Sequence, residues 1–351
     1  MSETVSQSPL PFVSVVVPAM NCAEDVQGFA DAMLRQDYPT DRFEVIVVDN
    51  GSSDDTFERV RAAGLIALQR KEKGRARALN TGVEAAQGEI ILTTDLSCRA
   101  EPDWIRAVVE TFSAYPTAGC VAGEIKLLKT HENAVIRFQE RNSYMSPLLA
   151  LNRIHFPYMP FADGANASFR KRVFEEIGGF EESFVKAADV EICYRMLVLT
   201  DYLLVFNRAA LMWEPGEPSL RALLHQRFRI GLGSNLLRMK YPALHAVLGS
   251  GFSLRRSYWQ LRHNFITSLH LHRLNFGALF GYKRDAAIDA NIRQLMNWFD
   301  WYGSHYGRWW LDRQGIRPTP VDEACLRRFM EQPEQVRERV LLVDIPIGKG
   351  T

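Results

Sequence analysis

Gly88-Glu89-Ile90-Ile91-Leu92-Thr93-Thr94-Asp95-Leu96-Ser97 is the stretch that decides how the chain is read. Glu89 to Thr94 is a short apolar run that follows a glycine and ends at a polar turn, the pattern of a buried strand. It ends in Asp95, with Ser97 two residues on. Ligands of open parallel sheets bind beyond the carboxyl ends of the strands. An unused carboxylate in that place is costly, so Asp95 is expected to work on a ligand or a metal.

Outward from this strand the chain alternates. Phe12 to Val17 and Phe43 to Val48 are β-branched runs of buried parallel strands, and Leu65 to Leu68 is a shorter one. Helical patterns lie between them: Ala23 to Gln36, Asp54 to Ala63 with Ser53 as N-cap, and Arg75 to Ala86 with Gly88 as the stop. Strict alternation implies βαβ units and a mostly parallel central sheet, an α/β fold. Further on, Pro102 to Tyr115 predicts a helix and Ala118 to Leu127 a strand. His131 to Ala150 predicts a helix disturbed by Pro147, Phe161 to Phe169 an extended segment, and Val173 to Ile177 a short helix closed by Gly178-Gly179. Asp189 to Leu199 has helical periodicity, and Tyr202 to Phe206 returns to strand.

Composition then shifts. Ser219 to Arg284 holds no Asp or Glu, eleven Lys and Arg, and five His, with leucines and aromatics interleaved. The remainder is aromatic-rich around Trp298 to Trp310, with a helix expected from Glu323 to Met330. A length of 351 residues suits about two domains. The expected division is a flexible tail over 1–10, an α/β domain over 11–218 with halves 11–97 and 98–218, and a mainly helical region over 219–351. A net charge of +1 argues against nucleic-acid binding by bulk charge. The five cysteines form no Cys-x-x-Cys pair, so neither a zinc site nor a disulfide framework is expected, and reduced thiols suit the cytoplasm. Met1 to Pro11 lacks the basic start and apolar core of a signal peptide. No apolar run approaches the roughly 20 residues of a membrane helix, so a soluble or peripheral protein is expected, cytoplasmic or on the inner face of a membrane.

Each strand end carries a distinctive tail. The tails are Val17-Pro18-Ala19-Met20-Asn21, Val48-Asp49-Asn50-Gly51-Ser52-Ser53-Asp54-Asp55, Lys73-Gly74-Arg75-Ala76-Arg77-Ala78-Leu79-Asn80-Thr81-Gly82, and Asp95-Leu96-Ser97. In this order and spacing they resemble the family 2 glycosyltransferases of the GT-A fold. Asp163-Gly164-Ala165-Asn166 looks like the family's Gly-Ala-Asn stretch. Gly178-Gly179-Phe180 with Ala188-Asp189 looks like its Gly-Gly-Phe and Glu-Asp segment. Gln226-Arg227-Phe228-Arg229-Ile230 resembles the Gln-x-x-Arg-Trp motif of processive members, with isoleucine for tryptophan. The resemblance runs from about Phe12 to Leu237.

It implies a nucleoside-diphosphate sugar, with a UDP-sugar as the leading donor, held by Pro18, Ala19, Asn21, Asp49, Gly51, Arg75, Arg77, Asn80 and Asp95. Asp49 would accept hydrogen bonds from the nucleoside, and Arg75 and Arg77 suit phosphate oxygens. Asp189 falls where the family keeps its catalytic base, which takes the acceptor proton in an inverting transfer. Gln226, Arg227, Arg229 and Asn166 would face the diphosphate or the acceptor. Three positions depart from the pattern. Ser97 replaces the main metal-ligating aspartate, Ala188 replaces the glutamate before the base, and Trp213 stands near a late metal-ligand histidine, with Glu214 beside it as a substitute. Hard cations prefer several oxygen ligands, so manganese or magnesium, held by Asp95 with Ser97 or Glu214, is expected to bind weakly. Arg-assisted, metal-independent transfer and a non-catalytic chain remain alternatives.

The implied function is an inverting sugar transfer in surface glycan or polysaccharide synthesis, onto a glycan, lipid-linked or peptide acceptor. The alternative is a catalytically impaired nucleotide-sugar-binding paralogue that supports another transferase. A nucleotidyltransferase is a weaker third reading. The basic, aromatic-interleaved segment from Ser219 to Arg284 fits an anionic membrane surface. Packing on the transferase domain or on a second subunit of an oligomer is the competing expectation.

Overall fold

The structure is a computed structural model that describes residues 10–147, 159–247, 254–279, 281, 283–331 and 338–343. The N-terminal half alternates as the sequence predicts: β1 (Val13–Ala19), α1 (Val26–Leu34), β2 (Phe43–Asp49), α2 (Thr56–Ala62), β3 (Ile66–Gln69), α3 (Arg75–Ala85) and β4 (Ile90–Thr93). All seven residues of β1 are buried, as a strand covered on both faces requires. The chain continues through β5 (Arg99–Ala100), α4 (Trp104–Ala114), β6 (Ala118–Leu128), α5 (Ala134–Arg141), β7 (Ala167–Arg170), α6 (Lys171–Ile177), α7 (Ala188–Leu199) and β8 (Leu203–Pro215). Then come α8 (Leu220–Lys240), α9 (Pro242–Val247), α10 (Leu254–Leu279), α11 (Arg284–Gln314), α12 (Glu323–Met330) and β9 (Val340–Val343).

One mixed sheet runs in the order β3-β2-β1-β4-β7-β6-β8-β5, with β9 also on β8. β1, β2, β3 and β4 pair in parallel. β7 runs antiparallel between β4 and β6, so the second half of the sheet joins the first through a reversed strand. Separate apolar cores fill the two faces, one around Val16, Phe169 and Leu197, the other around Val15, Trp104 and Val205.

Several boundaries differ from the sequence reading, each for a local reason. α2 starts at Thr56, because the Asp54 carboxylate accepts from the Thr56 N–H and ends the preceding turn there, two residues later than a Ser53 cap would set. The helix expected over His131 to Ala150 spans only Ala134–Arg141. Asn133 caps it by accepting from Val135 and Ile136, and Ser143 at φ 45° turns the chain away; 148–150 lie outside the described residues. The strand expected to end at Phe206 continues as β8 to Pro215, past a register shift opposite Gly123 and Glu124. Of the extended segment expected over Phe161 to Phe169, only the part from Ala167 is strand. The region after 218 is mainly helical, yet β9 returns to the sheet beside β8.

The C-terminal helices are tied to the α/β domain at two places. Glu191 of α7 is fully buried, 3.0 Å from Lys240 Nζ and 2.9 Å from Arg195, and accepts from the Tyr241 hydroxyl. Glu181 is a second partner of Lys240. Breaking a buried pair leaves an uncompensated charge, so this cluster fixes the end of α8 to the helix that begins beside Asp189. The second tie is the crossing of α8 and α11. A Cβ on Gly303 would lie 2.4 Å from the Phe228 carbonyl oxygen, and one on Gly231 would lie 2.8 Å from the Gly303 carbonyl carbon. Only glycine allows backbones this close.

Candidate active site

The carboxyl ends of β1, β2 and β4 open on one side of the sheet, and their loops interlock. The Asn50 N–H donates to the Ala19 carbonyl, and the Asn50 side chain accepts from the Gly74 N–H. Asn21, at φ 54°, accepts from the Ser53 N–H. Gly51 takes φ 82°, where a side chain would be strained. Asp49 is 2 % exposed and does not cap α2. Its carboxylate accepts from the Ser52 N–H at 3.2 Å and from the Gln69 amide at 3.3 Å.

At the mouth of β4, Arg75 from the start of α3 forms an ion pair with Asp95. Both side chains keep about a third of their surface exposed, 39 % and 30 %. Burial works against the Arg75 charge, but Asp95, Asp189 and Asp163 outweigh it and raise its pKa well above the usual range. Gly164 lies between Arg75 and Asp189: a Cβ there would be 3.2 Å from Arg75 Nη2 and 3.2 Å from Asp189 Oδ2. Asp189 Oδ2 accepts from the Gly164 N–H at 2.9 Å, and its Oδ1 from the Val190 N–H at 3.0 Å. Glu214 on β8 completes the group. Burial, then Asp163 and Asp95, push its carboxyl well above the ordinary range, against the pull of Arg75 and Lys186. Its neighbour Trp213 points elsewhere, donating to Glu101 at 2.6 Å.

These residues do not fit a metal held by the protein alone. Asp95 is taken by Arg75, Ser97 offers a neutral hydroxyl, and burial beside Asp163 and Asp95 works against the charged form of Glu214. Among the described residues no three His, Cys, Asp or Glu side chains converge on a metal position.

Other expected site residues are used for structure. The Asn166 amide donates to the Glu124 and Ala210 carbonyls and accepts from Trp104 Nε1, deep inside the sheet, so it does not face the diphosphate or an acceptor. Asn80 is committed to Phe180, donating to its carbonyl at 2.9 Å and accepting from its N–H at 2.7 Å. It braces the Gly178-Gly179 turn. Arg77 pairs with Glu182 at 3.0 Å and Glu72 at 3.2 Å on the surface. Arg227 is ion-paired with Asp300, and Gln226 accepts from the Tyr144 hydroxyl. Arg229 is exposed.

The comparisons with known proteins follow this geometry. Residues 14–178 match Glycosyl transferase family 2. Glycosyltransferase AglE of Haloferax volcanii is 30 % identical over 234 residues, which are 64 % of this chain and 74 % of that protein. The chain belongs to glycosyl transferase family 2. The poly-beta-1,6-N-acetyl-D-glucosamine synthase of Staphylococcus epidermidis is 24 % identical over 242 residues, 66 % of this chain and 57 % of that protein. The chain thus spans little more than half of some curated relatives. Among solved structures, the mannosyltransferase PcManGT of Pyrobaculum calidifontis, in complex with GDP-Man and Mn2+, superposes with a TM-score of 0.59. That match covers 85 % of this chain and 87 % of the other at 22 % identity, and it establishes the GT-A fold. The chain is a glycosyltransferase enzyme of that fold. GT-A enzymes commonly use a divalent metal.

Two residues of this glycosyltransferase's site carried no assignment from sequence. Lys186 precedes the turn into α7 and acts electrostatically on Asp163 and Glu214; nothing in its surroundings marks it. Asp163 stood in a recognised stretch, and its place one residue before Gly164 was the available signal. Burial first, then Asp189, push its carboxyl up to about 6 from an ordinary 3.8. Between those values the folded state binds more protons than the unfolded chain, so stability falls as pH rises from about 4 to about 6. Asp163→Asn keeps the acceptor for the Ala165 N–H. It is expected to gain about 1–2 kcal/mol above pH 6 relative to wild type, allowing for partial exposure. Urea denaturation at pH 4.5 and pH 7.5 measures this; an unchanged difference between the two pH values would contradict it.

Proposed function

We propose that this enzyme transfers a sugar from a nucleoside-diphosphate sugar to an acceptor hydroxyl with inversion at the anomeric carbon. The observation that carries the reading is the convergence of Asp189 and the Arg75–Asp95 pair on Gly164. In a single displacement the acceptor oxygen bonds to the anomeric carbon as the bond to the diphosphate breaks. Asp189 takes the acceptor proton. The Arg75 guanidinium balances charge on the departing diphosphate. Asp49 and the interlocked Asn21 and Gly51 loops hold the nucleoside, and Asp95 orients Arg75. A UDP-sugar is the leading donor, and surface glycan or polysaccharide synthesis the leading role. The intact Asp189 favours turnover over an impaired paralogue.

Calorimetry with UDP, GDP and TDP tests the nucleotide site. One of them should bind wild type, and Asp49→Ala should weaken it at least about tenfold, the loss of charge-assisted hydrogen bonds. No binding to any of the three by folded protein would sink the reading. Manganese should add affinity only weakly, and Ser97→Asp should tighten it.

The enzyme works at an anionic membrane surface, from which a lipid-linked acceptor is presented. No helix among the described residues is long and apolar enough to cross a membrane. α10 nonetheless turns its apolar side outward. Tyr258, Phe265, Leu269 and Phe276 are 60, 59, 52 and 65 % exposed, at spacings that align them on one face. On its inner side the Ser268 hydroxyl and the Asn264 backbone carbonyl accept from Gln294 of α11, and the Asn275 side chain accepts from Asn291. An outward apolar stripe in a segment without acidic residues suits the interface of an anionic bilayer. Co-sedimentation with phosphatidylglycerol-containing vesicles should rise with anionic lipid and fall with salt. Phe265→Glu with Leu269→Glu should abolish it. Binding indifferent to charge, or a dimer held by this face, would overturn the membrane reading.

A further inference from the structure

A cleft of about 350 Å³ lies between the segment before α7 and the crossing of α8 with α11. Its walls hold three basic side chains, Lys186, His225 and Arg229, and three aromatic ones, Phe228, Tyr306 and Trp310. No carboxylate lines it. Lys186 lines the cleft and also acts electrostatically on Asp163 and Glu214. Ala187, at φ 64°, turns the chain into α7, whose second residue is Asp189. The close approach of Gly233 to Ala187 and Lys186 keeps α8 against this turn.

The charges in the cleft converge. Burial raises the Glu217 carboxyl pKa, and Lys186, Arg229 and His225, all within electrostatic reach, offset that rise only in part. Lys186 and Arg229 bring two positive charges against this one carboxylate, and the His225 imidazole adds a hydrogen-bonding group, so the cleft favours an anion. The aromatic side is equally ordered: Phe228 lies 5.9 Å from Tyr306, which stacks on Tyr302 at 5.5 Å. Flat rings beside clustered cations suit a sugar or other apolar face next to a phosphate. Arg227 and Gln226, turned to Asp300 and Tyr144, brace α8 and leave Arg229 and Phe228 to face the cleft.

We infer that this cleft is the acceptor subsite and that it takes an acceptor bearing a phosphate group, held by Lys186, His225 and Arg229 with its apolar part on Phe228, Tyr306 and Trp310. The inference rests on the glycosyltransferase reading above and adds the chemical class of the acceptor. The phosphate belongs either to a soluble sugar phosphate or to a lipid phosphate at the membrane; both offer the same anion. It also separates the two roles open to Arg229, because a residue of the acceptor subsite need not touch the donor's diphosphate.

The test uses the full chain with UDP at saturation, so that the donor's own phosphate site is filled. N-acetylglucosamine 1-phosphate is titrated against N-acetylglucosamine, and polyprenyl phosphate in phosphatidylcholine vesicles against vesicles without it. At least one phosphate-bearing probe should bind better than its neutral counterpart. Arg229→Gln and His225→Asn, both exposed and so expected to fold, should each lower that affinity about tenfold or more, the size of one lost charged contact. UDP affinity should stay within about twofold of wild type, the precision of such a titration in energy being well under 1 kcal/mol. Which probe responds tells the soluble source from the lipid one. Equal binding of phosphate and neutral probes, no binding of either, or binding unaffected by both variants would overturn the proposal. So would a parallel fall in UDP affinity, which would place Arg229 on the donor. In each of these cases intact UDP binding by wild type leaves the glycosyltransferase reading standing. Failure of wild type to bind UDP, GDP and TDP alike would remove both.

Discussion

Asp189→Asn is expected to abolish transfer while UDP affinity stays near wild type. The amide keeps an oxygen for the Gly164 N–H and gives up only the acceptor that meets the adjacent Val190 N–H. What is lost is the capacity to accept the acceptor proton as its oxygen attacks. Positioned general bases contribute about 10²–10⁴-fold, and turnover should fall by that much. Initial rates at saturating donor and acceptor, paired with calorimetry of UDP, separate chemistry from binding. A variant with wild-type turnover would put the base elsewhere.

The second large effect is expected at Arg75. Its guanidinium is paired with Asp95 and lies beside Gly164, across from Asp189. Removing one preorganised charge from a leaving-group site costs on the order of 10²–10³ in turnover. Arg75→Met should show such a loss, with weaker UDP binding because the diphosphate loses a partner. Arg75→Lys should recover part of it, since lysine restores the charge without the planar fork. Relief by added manganese would assign the two cations a common task. A loss smaller than about tenfold, alongside full inactivation by chelator, would instead make a metal ion the main support of the leaving group.

Much of the N-terminal half of the sheet was legible because its signals are local. β-branched runs fixed β1, β2 and β4, and the tails after them placed Asp49, Asp95 and the start of α3 on one side of the sheet. The position of Asp189 rested on resemblance, and its place beside Gly164 required the fold. Side-chain direction was not legible. Asn80 and Asn166 sit in recognised stretches, yet their amides are consumed by Phe180 and by Glu124 and Ala210. Glu191 shows the same limit: its burial depends on Lys240 and Tyr241, roughly fifty residues away. Lys186 belongs to no pattern and gains meaning only where the turn into α7 meets α8. The outward apolar face of α10 was likewise hidden, because composition reports that apolar residues are present and not which way they point.

The most direct test of the central claim is sugar release and transfer from a panel of UDP-, GDP- and TDP-sugars, by wild type and by Asp189→Asn, with and without manganese. The account predicts turnover of at least one donor by wild type, partial retention without manganese, and loss of transfer in the variant. Absence of turnover with every donor, by protein that binds UDP, would contradict it and leave a nucleotide-sugar-binding protein in place of an enzyme.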